Sequence, residues 1–166
     1  MVTAADWFVV NVRDAAWMTN PVLGECCIFE EEGVDFPEIG FTLAVLQPGQ
    51  SGGRYHREDD QEDFLVLQGE CLLLIEGEER PLRPWDFVHC PPGTEHAFVG
   101  AGDGPCVIFM TGSRFHRGSA VYTREEVALR HDAGVEQVTS SSAEAYAPFP
   151  PWQRGRPKSF EGLPWA

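Results

Sequence analysis

Basic residues are scarce in this chain. Twelve lysines and arginines stand against 26 aspartates and glutamates among 166 residues, for a formal net charge of −14. So acidic a chain is repelled by phosphate backbones and anionic membrane surfaces, which removes nucleic acid and membranes from the expected partners. Long apolar runs are also missing, and none approaches the length that crosses a bilayer. The start, MVTAADWFVVNVRDAAW, carries Asp6 ahead of a short apolar stretch and shows no basic n-region, long h-region or small-residue cleavage site. A soluble, cytoplasmic protein is expected. No CxxC pair occurs. The five cysteines (Cys26, Cys27, Cys71, Cys90 and Cys106) are odd in number, and most sit inside apolar runs. This excludes a disulfide framework or zinc knuckle and predicts reduced thiols filling a core. No internal repeat of solenoid type is visible.

Helical periodicity is absent until residue 123. What is present is a series of short apolar segments: Trp7–Val12, Cys26–Phe29, Phe41–Leu46, Phe64–Leu67, Cys71–Ile75, Phe87–Cys90, Ala97–Val99 and Val107–Met110. Each has the length of a strand, and turn signals such as Pro48-Gly49, Gln68-Gly69, Glu76-Gly77 and Pro92-Gly93 separate them. With 166 residues and 43% hydrophobic content, the pattern predicts one all-β domain, a sandwich or barrel. Thr123-Arg124-Glu125-Glu126 has capping-box spacing and predicts one short helix at about residues 124 to 131, stopped by Gly134. The remainder, through Ala166, holds five prolines and reads as an irregular tail. Tyr146, Phe149, Trp152, Phe160 and Trp165 make it too apolar to hang free, so it is expected to pack on its own barrel or on a partner. The expected division is 1–39 for N-terminal strands, 40–112 for the barrel and 113–166 for the helix and tail.

Two polar stretches interrupt the apolar pattern. His56-Arg57-Glu58-Asp59-Asp60-Gln61-Glu62 places His56, Glu58 and Glu62 at the same strand parity, with a turn between as a complication. In Pro91-Pro92-Gly93-Thr94-Glu95-His96, the turn swings the chain round so that His96 opens the next strand. Two imidazoles and a carboxylate converging in a barrel make the three-ligand face of a non-haem Fe(II) site, which also suits Mn, Ni or Zn. The bland alternative is a set of hydrogen-bonded polar residues in an unmetallated mouth. Glu58 is read as a fourth ligand, a general base beside the metal, or a solvated residue of an acidic run. His89, His116 and His131 read as structural or surface residues. Arg54 and Tyr55 read as rim or substrate contacts.

The residues His56-x-Glu58-x-x-x-Glu62 followed by Gly69, and Pro91-x-Gly93-x-x-His96 preceded by Asp86, resemble the two motifs of the cupin family. The resemblance covers about residues 40 to 112. It implies a double-stranded β-helix (a jelly-roll barrel), frequent homodimers, and metal ligands at His56, Glu62 and His96. Several positions depart from the motifs. Glu58 stands where the second histidine usually falls, Trp85 replaces the glycine that opens the second motif, Gly100 replaces its closing asparagine, and Gly49 falls one residue early. Cupin membership does not fix an activity. Three functions remain open: a metal-dependent enzyme of isomerase or oxygenase type acting on a small polar metabolite, with Glu58 as acid–base group; a non-catalytic binder of a small molecule or metal; and a metal-free sugar isomerase or epimerase using His56 or His96 with a tyrosine. No tyrosine lies between residues 64 and 112, which counts against the third.

Overall fold

The computed structural model describes residues 7–30, 33–157 and 160–165, so Asp6 and parts of the two flanking segments lie outside the described residues. Twelve strands form two antiparallel sheets. They are β1 (Ala16–Asn20), β2 (Gly24–Ile28), β3 (Ile39–Leu46), β4 (His56–Arg57), β5 (Glu62–Gln68), β6 (Glu70–Ile75), β7 (Glu78–Leu82), β8 (Phe87–Cys90), β9 (His96–Ala101), β10 (Cys106–Ser113), β11 (Val121–Tyr122) and β12 (Gln153–Arg154). One sheet runs β12-β1-β2-β3-β10-β5-β8, the other β11-β4-β9-β6-β7. This is the expected all-β jelly roll.

Strand alternation sorts the side chains. Phe64 and Val66 of β5, Cys71 and Leu73 of β6, Val88 and Cys90 of β8, and Cys106 and Ile108 of β10 join Leu46 and Phe98 in the barrel interior. The intervening residues face outward and are covered by the flanking segments. Leu43, Val45 and Val107 pack with Trp17, Phe160 and Leu163 on the larger sheet. Leu74, Ala97 and Val99 pack with Val127, Ala128 and Ala133 on the smaller one. The tail therefore packs on its own barrel, and β12 adds to the edge of β1 through Met18–Arg154 and Thr19–Gln153. All five cysteines are free thiols, four of them buried, as expected.

Three local expectations need correction. Trp7–Val12 is not a strand: Trp7 and Val9 are exposed, and the chain turns at Asn11, whose side-chain oxygen accepts from Arg13 N. β1 lies further on, with β2 and β12 on its two sides, so the upstream run has no edge there to join. The helix α1 spans Glu126–Arg130 with Glu125 as N-cap, its carboxylate accepting from Val127 N. Thr123 is not the cap, and its hydroxyl is buried with no hydrogen-bond partner among the described residues. The tail contains a second helix, α2 (Ser142–Tyr146), capped by the Ser141 hydroxyl. All five tail prolines fall after it, at Pro148 and beyond, so they end regular structure without preventing this one turn.

Two turns show what backbone conformation demands. Glu76 and Gly77 both adopt positive φ, 49° and 77°, as a two-residue hairpin requires between β6 and β7. Trp85 also has positive φ, 77°, at the position where the cupin motif carries glycine. Its N–H donates to Val66 O, and Asp86 closes the same turn by accepting from Arg83 N. A left-handed conformation costs a non-glycine residue about 1–2 kcal/mol, against about 0.5–1 kcal/mol for the extra chain entropy of glycine. The Trp85 side chain is 73% exposed and has little packing to lose. Trp85→Gly is therefore expected to stabilise the fold by up to about 1 kcal/mol, read as a rise in the thermal unfolding midpoint.

Candidate functional site

One end of the barrel interior is polar. His56 on β4 lies directly across from His96 on β9, with ring centroids 5.1 Å apart. Glu62 enters from the first position of β5, two residues before the inward-facing Phe64. One donor atom from each of His56, Glu62 and His96 lies within 4.8 Å of the other two. Below them, Phe64 forms the floor, 5.2 Å from the His96 ring and 4.7 Å from Phe98. Each imidazole uses Nδ1 on a backbone carbonyl two residues earlier: His56 to Arg54 O at 2.8 Å, His96 to Thr94 O at 3.1 Å. With Nδ1–H donating there, both Nε2 atoms keep their lone pairs for the interior. They lie 3.5 Å from Glu58 Oε1 and 3.4 Å from Glu62 Oε2, respectively.

The electrostatics of this cluster strain against each other. Burial pushes Glu62 up to about 7, partly offset by His56, with Glu58 and Asp60 adding to the rise. Burial, then the neighbouring His56, takes His96 down to about 4. Burial opposes charge on His56 as well, but Glu58 and Glu62 together outweigh it and raise it. Glu58 is lowered by its hydrogen bond to His56. Among the described residues, no arginine or lysine pairs with Glu62, whose ion-pair partner is His96. Two imidazoles and a carboxylate converging in this way form a donor set that a divalent cation fits.

Glu58 is placed differently from the other three. The chain leaves β4 at Arg57, and Glu58 O accepts from Gly93 N in the turn that follows. Its carboxylate reaches His56 but lies outside the His56–Glu62–His96 group. It lines a cavity of about 380 Å³ together with Glu62, Asp60, Phe64, Met110 and Arg114. Asp60, itself buried, accepts from Ser113 Oγ and His116 N and so ties the loop after β10 across the mouth.

The remaining candidates fall elsewhere. His89 is exposed and pairs with Asp63 at 2.6 Å, Cys90 is in the apolar core, and His131 meets Glu79 on the surface. Arg54 and Tyr55 are not rim residues. Both are buried, with Arg54 bonded to backbone carbonyls of the C-terminal segment and the Tyr55 hydroxyl accepting from Gly77 N. Sequence reasoning missed Tyr122. It lies beyond the barrel strands, yet β11 pairs with β4 and brings its ring to 5.8 Å from His56. Burial pushes its phenol up to about 12.

A polar cluster at one end of an apolar jelly roll defines a barrel with a small-molecule site at its mouth. Residues 42–112, somewhat under half of the chain, match the cupin domain model, which supports a place in the cupin superfamily. Over 62 residues it is 32% identical to quercetin 2,3-dioxygenase from Bacillus subtilis (strain 168), a stretch covering 36% of this chain and 18% of that enzyme. The chain thus matches less than a fifth of that relative's length. Its fold resembles the polyketide cyclase RemF from Streptomyces resistomycificus (TM-score 0.56, 17% identity, 65% of this chain and 80% of the other). It also resembles a sugar phosphate isomerase of the cupin superfamily from Silicibacter pomeroyi (TM-score 0.51, 21% identity, 63% and 73%). At these identities the likeness is one of fold. Among the described residues, no helix is long and apolar enough to cross a membrane.

The cavity's outer wall depends on an ion pair. Arg114 donates from both terminal nitrogens to Glu30, at 2.6 and 2.7 Å, and also to Phe36 O, while Arg117 holds Asp35 and the same carbonyl. Glu30 lies below the usual carboxylate range, first because of the Arg114 hydrogen bond. A depressed carboxylate contributes stability that is complete above its unfolded pKa, about 4.3, and is lost as pH falls through the folded value. Thermal melts of wild type and Glu30→Gln should therefore differ most near neutral pH and converge in acid, as pH falls through the depressed folded value. A difference that persists unchanged into acid would show that the pair acts by packing instead.

Proposed function

We propose that the protein is a metal-dependent cupin enzyme acting on a small polar metabolite, in the cytoplasm and as a homodimer. His56, Glu62 and His96 would hold the ion, and the barrel over residues 40–112 would carry the site. The observation that carries this reading is the convergence of those three donors within 4.8 Å, without a basic side chain to neutralise the carboxylate. Mn, Fe, Ni or Zn would satisfy the set, and a bound ion would supply Lewis-acid polarisation or an oxygen-activating centre. The chain's own contribution is then specific. Phe64 and Met110 give a substrate an apolar wall, and Asp60 and Arg114 line the same open cavity. Glu58 faces the same cavity and is kept ionised beside His56, so it is placed to accept a proton from a bound substrate. On this reading Glu58 is a base next to the three ligands, with a fourth ligand as the alternative.

A second reading has one observation in its favour. Tyr122 lies over His56, and its raised phenol stays protonated, so the two could serve as acid and base of a metal-free isomerase or epimerase. A non-catalytic small-molecule binder would use the same cavity without turnover.

Metal analysis of purified protein separates these readings. Wild type is expected to take up one equivalent of a divalent ion. His96→Ala should lose more than the roughly 10–100-fold in affinity that an outer-sphere change costs. Glu58→Gln should keep the ion and lose turnover. Loss of the ion in Glu58→Gln would make Glu58 a ligand. A wild type that takes up none of Mn, Fe, Ni or Zn in excess would overturn the metal reading and favour the His56–Tyr122 pair.

A further inference from the structure

The two histidines of the site are oriented by different parts of the chain. His96 donates to Thr94 O, a carbonyl of its own turn, where Thr94 N bonds back to Pro91 O. His56 donates to Arg54 O, and the peptide that carries this carbonyl is held from outside the barrel. The N–H of that same Arg54–Tyr55 peptide, on Tyr55, donates to Ala133 O at 2.8 Å. One peptide plane is thus fixed at both ends, by a site histidine on one side and by the C-terminal segment on the other.

The residue that begins this peptide is held just as firmly. Arg54 N–H donates to the Tyr146 hydroxyl at 3.0 Å. Its buried guanidinium donates to Ala145 O at 2.9 Å, to Asp132 O at 3.2 Å and to Gly134 O, and lies 4.3 Å over the Phe149 ring. A β-carbon on Gly53 would sit 3.0 Å from the Tyr146 hydroxyl, so the missing side chain there makes room for this contact. Tyr146 also meets Tyr122 edge-on at 5.7 Å, and Tyr122 in turn covers the His56 ring.

We infer that the segment 132–149 is a positioning element for His56, acting through the Tyr146 hydroxyl on Arg54 N–H and the Ala133 carbonyl on the Arg54–Tyr55 peptide. The inference rests on His56 being a metal ligand. A carbonyl acceptor fixes which imidazole nitrogen carries the proton and where the other nitrogen points, and changes to such outer partners typically cost about 10–100-fold in metal affinity. Tyr146 touches neither the cavity nor the ligand cluster, so its effect would pass through Arg54, whose N–H donates to its hydroxyl, and through Tyr122.

The test titrates full-length protein with Mn, Fe, Ni and Zn, each alone, and follows the ion that wild type binds by calorimetry. Tyr146→Phe keeps the ring and removes the hydroxyl, and Gly53→Ala crowds that hydroxyl. Both are expected to weaken binding by roughly 10-fold. Leu163→Ala serves as the stability control, because it removes packing on the larger sheet, away from Arg54 and His56, and lowers the melting temperature. It should bind the ion as wild type does. Equal affinity in Tyr146→Phe and wild type would overturn the inference and leave the metal reading intact. So would a loss in Leu163→Ala as large as that in Tyr146→Phe, since the effect would then come only through stability. A wild type that binds none of the four ions overturns the metal reading and this inference with it.

Discussion

The constraint on which this molecule turns is a half-buried carboxylate at the polar end of an apolar barrel, paired with a histidine and, among the described residues, with no arginine or lysine. Glu62 sits there because β5 alternates: the parity that buries Phe64 and Val66 in the core also points Glu62 inward. Apolar packing at the barrel's closed end therefore dictates where the charge must lie at the open end. An isolated carboxylate in such a place takes up a proton or finds a cation. The two imidazoles opposite, with their Nδ1 atoms committed to carbonyls, leave a gap that accepts positive charge.

The rest of the architecture serves to keep that end open and the remainder shut. Both outer sheet faces are apolar, and each is covered by chain from outside the barrel strands. Trp17, Phe160 and Leu163 cover one face, and Val127, Ala128 and Ala133 the other. The cover on the smaller sheet reaches further than packing, because the same segment supplies Ala133 O to the peptide behind His56. Stability and site geometry are thus coupled on that side. On the larger sheet, cover and site are separate.

Charge is distributed to match. The surface is strongly acidic, yet the buried Arg54 satisfies its guanidinium with backbone carbonyls and an aromatic face, without a carboxylate hydrogen bond. At the mouth, Arg114 and Arg117 are spent on Glu30 and Asp35, so they brace the wall more than they attract an anion. The cavity keeps Glu58, Asp60 and Glu62 as its own charges.

The barrel and its ligand-bearing strands were legible in the sequence because they depend on local, repeating physics. Period-two alternation, glycine turns and two polar interruptions place His56, Glu62 and His96 on inward positions whatever the rest of the chain does. The left-handed backbone at Trp85 could be guessed only as a departure from a motif. What alternation could not carry was anything depending on a turn of unknown shape or on contacts distant in sequence. The place of Glu58 could not be read past the end of β4, because it depends on the turn in which Glu58 O accepts from Gly93 N. Tyr122 joined His56 only through the pairing of β11 with β4, and Arg54 proved buried only because residues 132–149 fold back over it. The sequence by itself determined which side chains face the barrel interior, since that follows from strand geometry. Only the tertiary structure decided which of them meet and what holds them, since that depends on pairings between segments up to 92 residues apart.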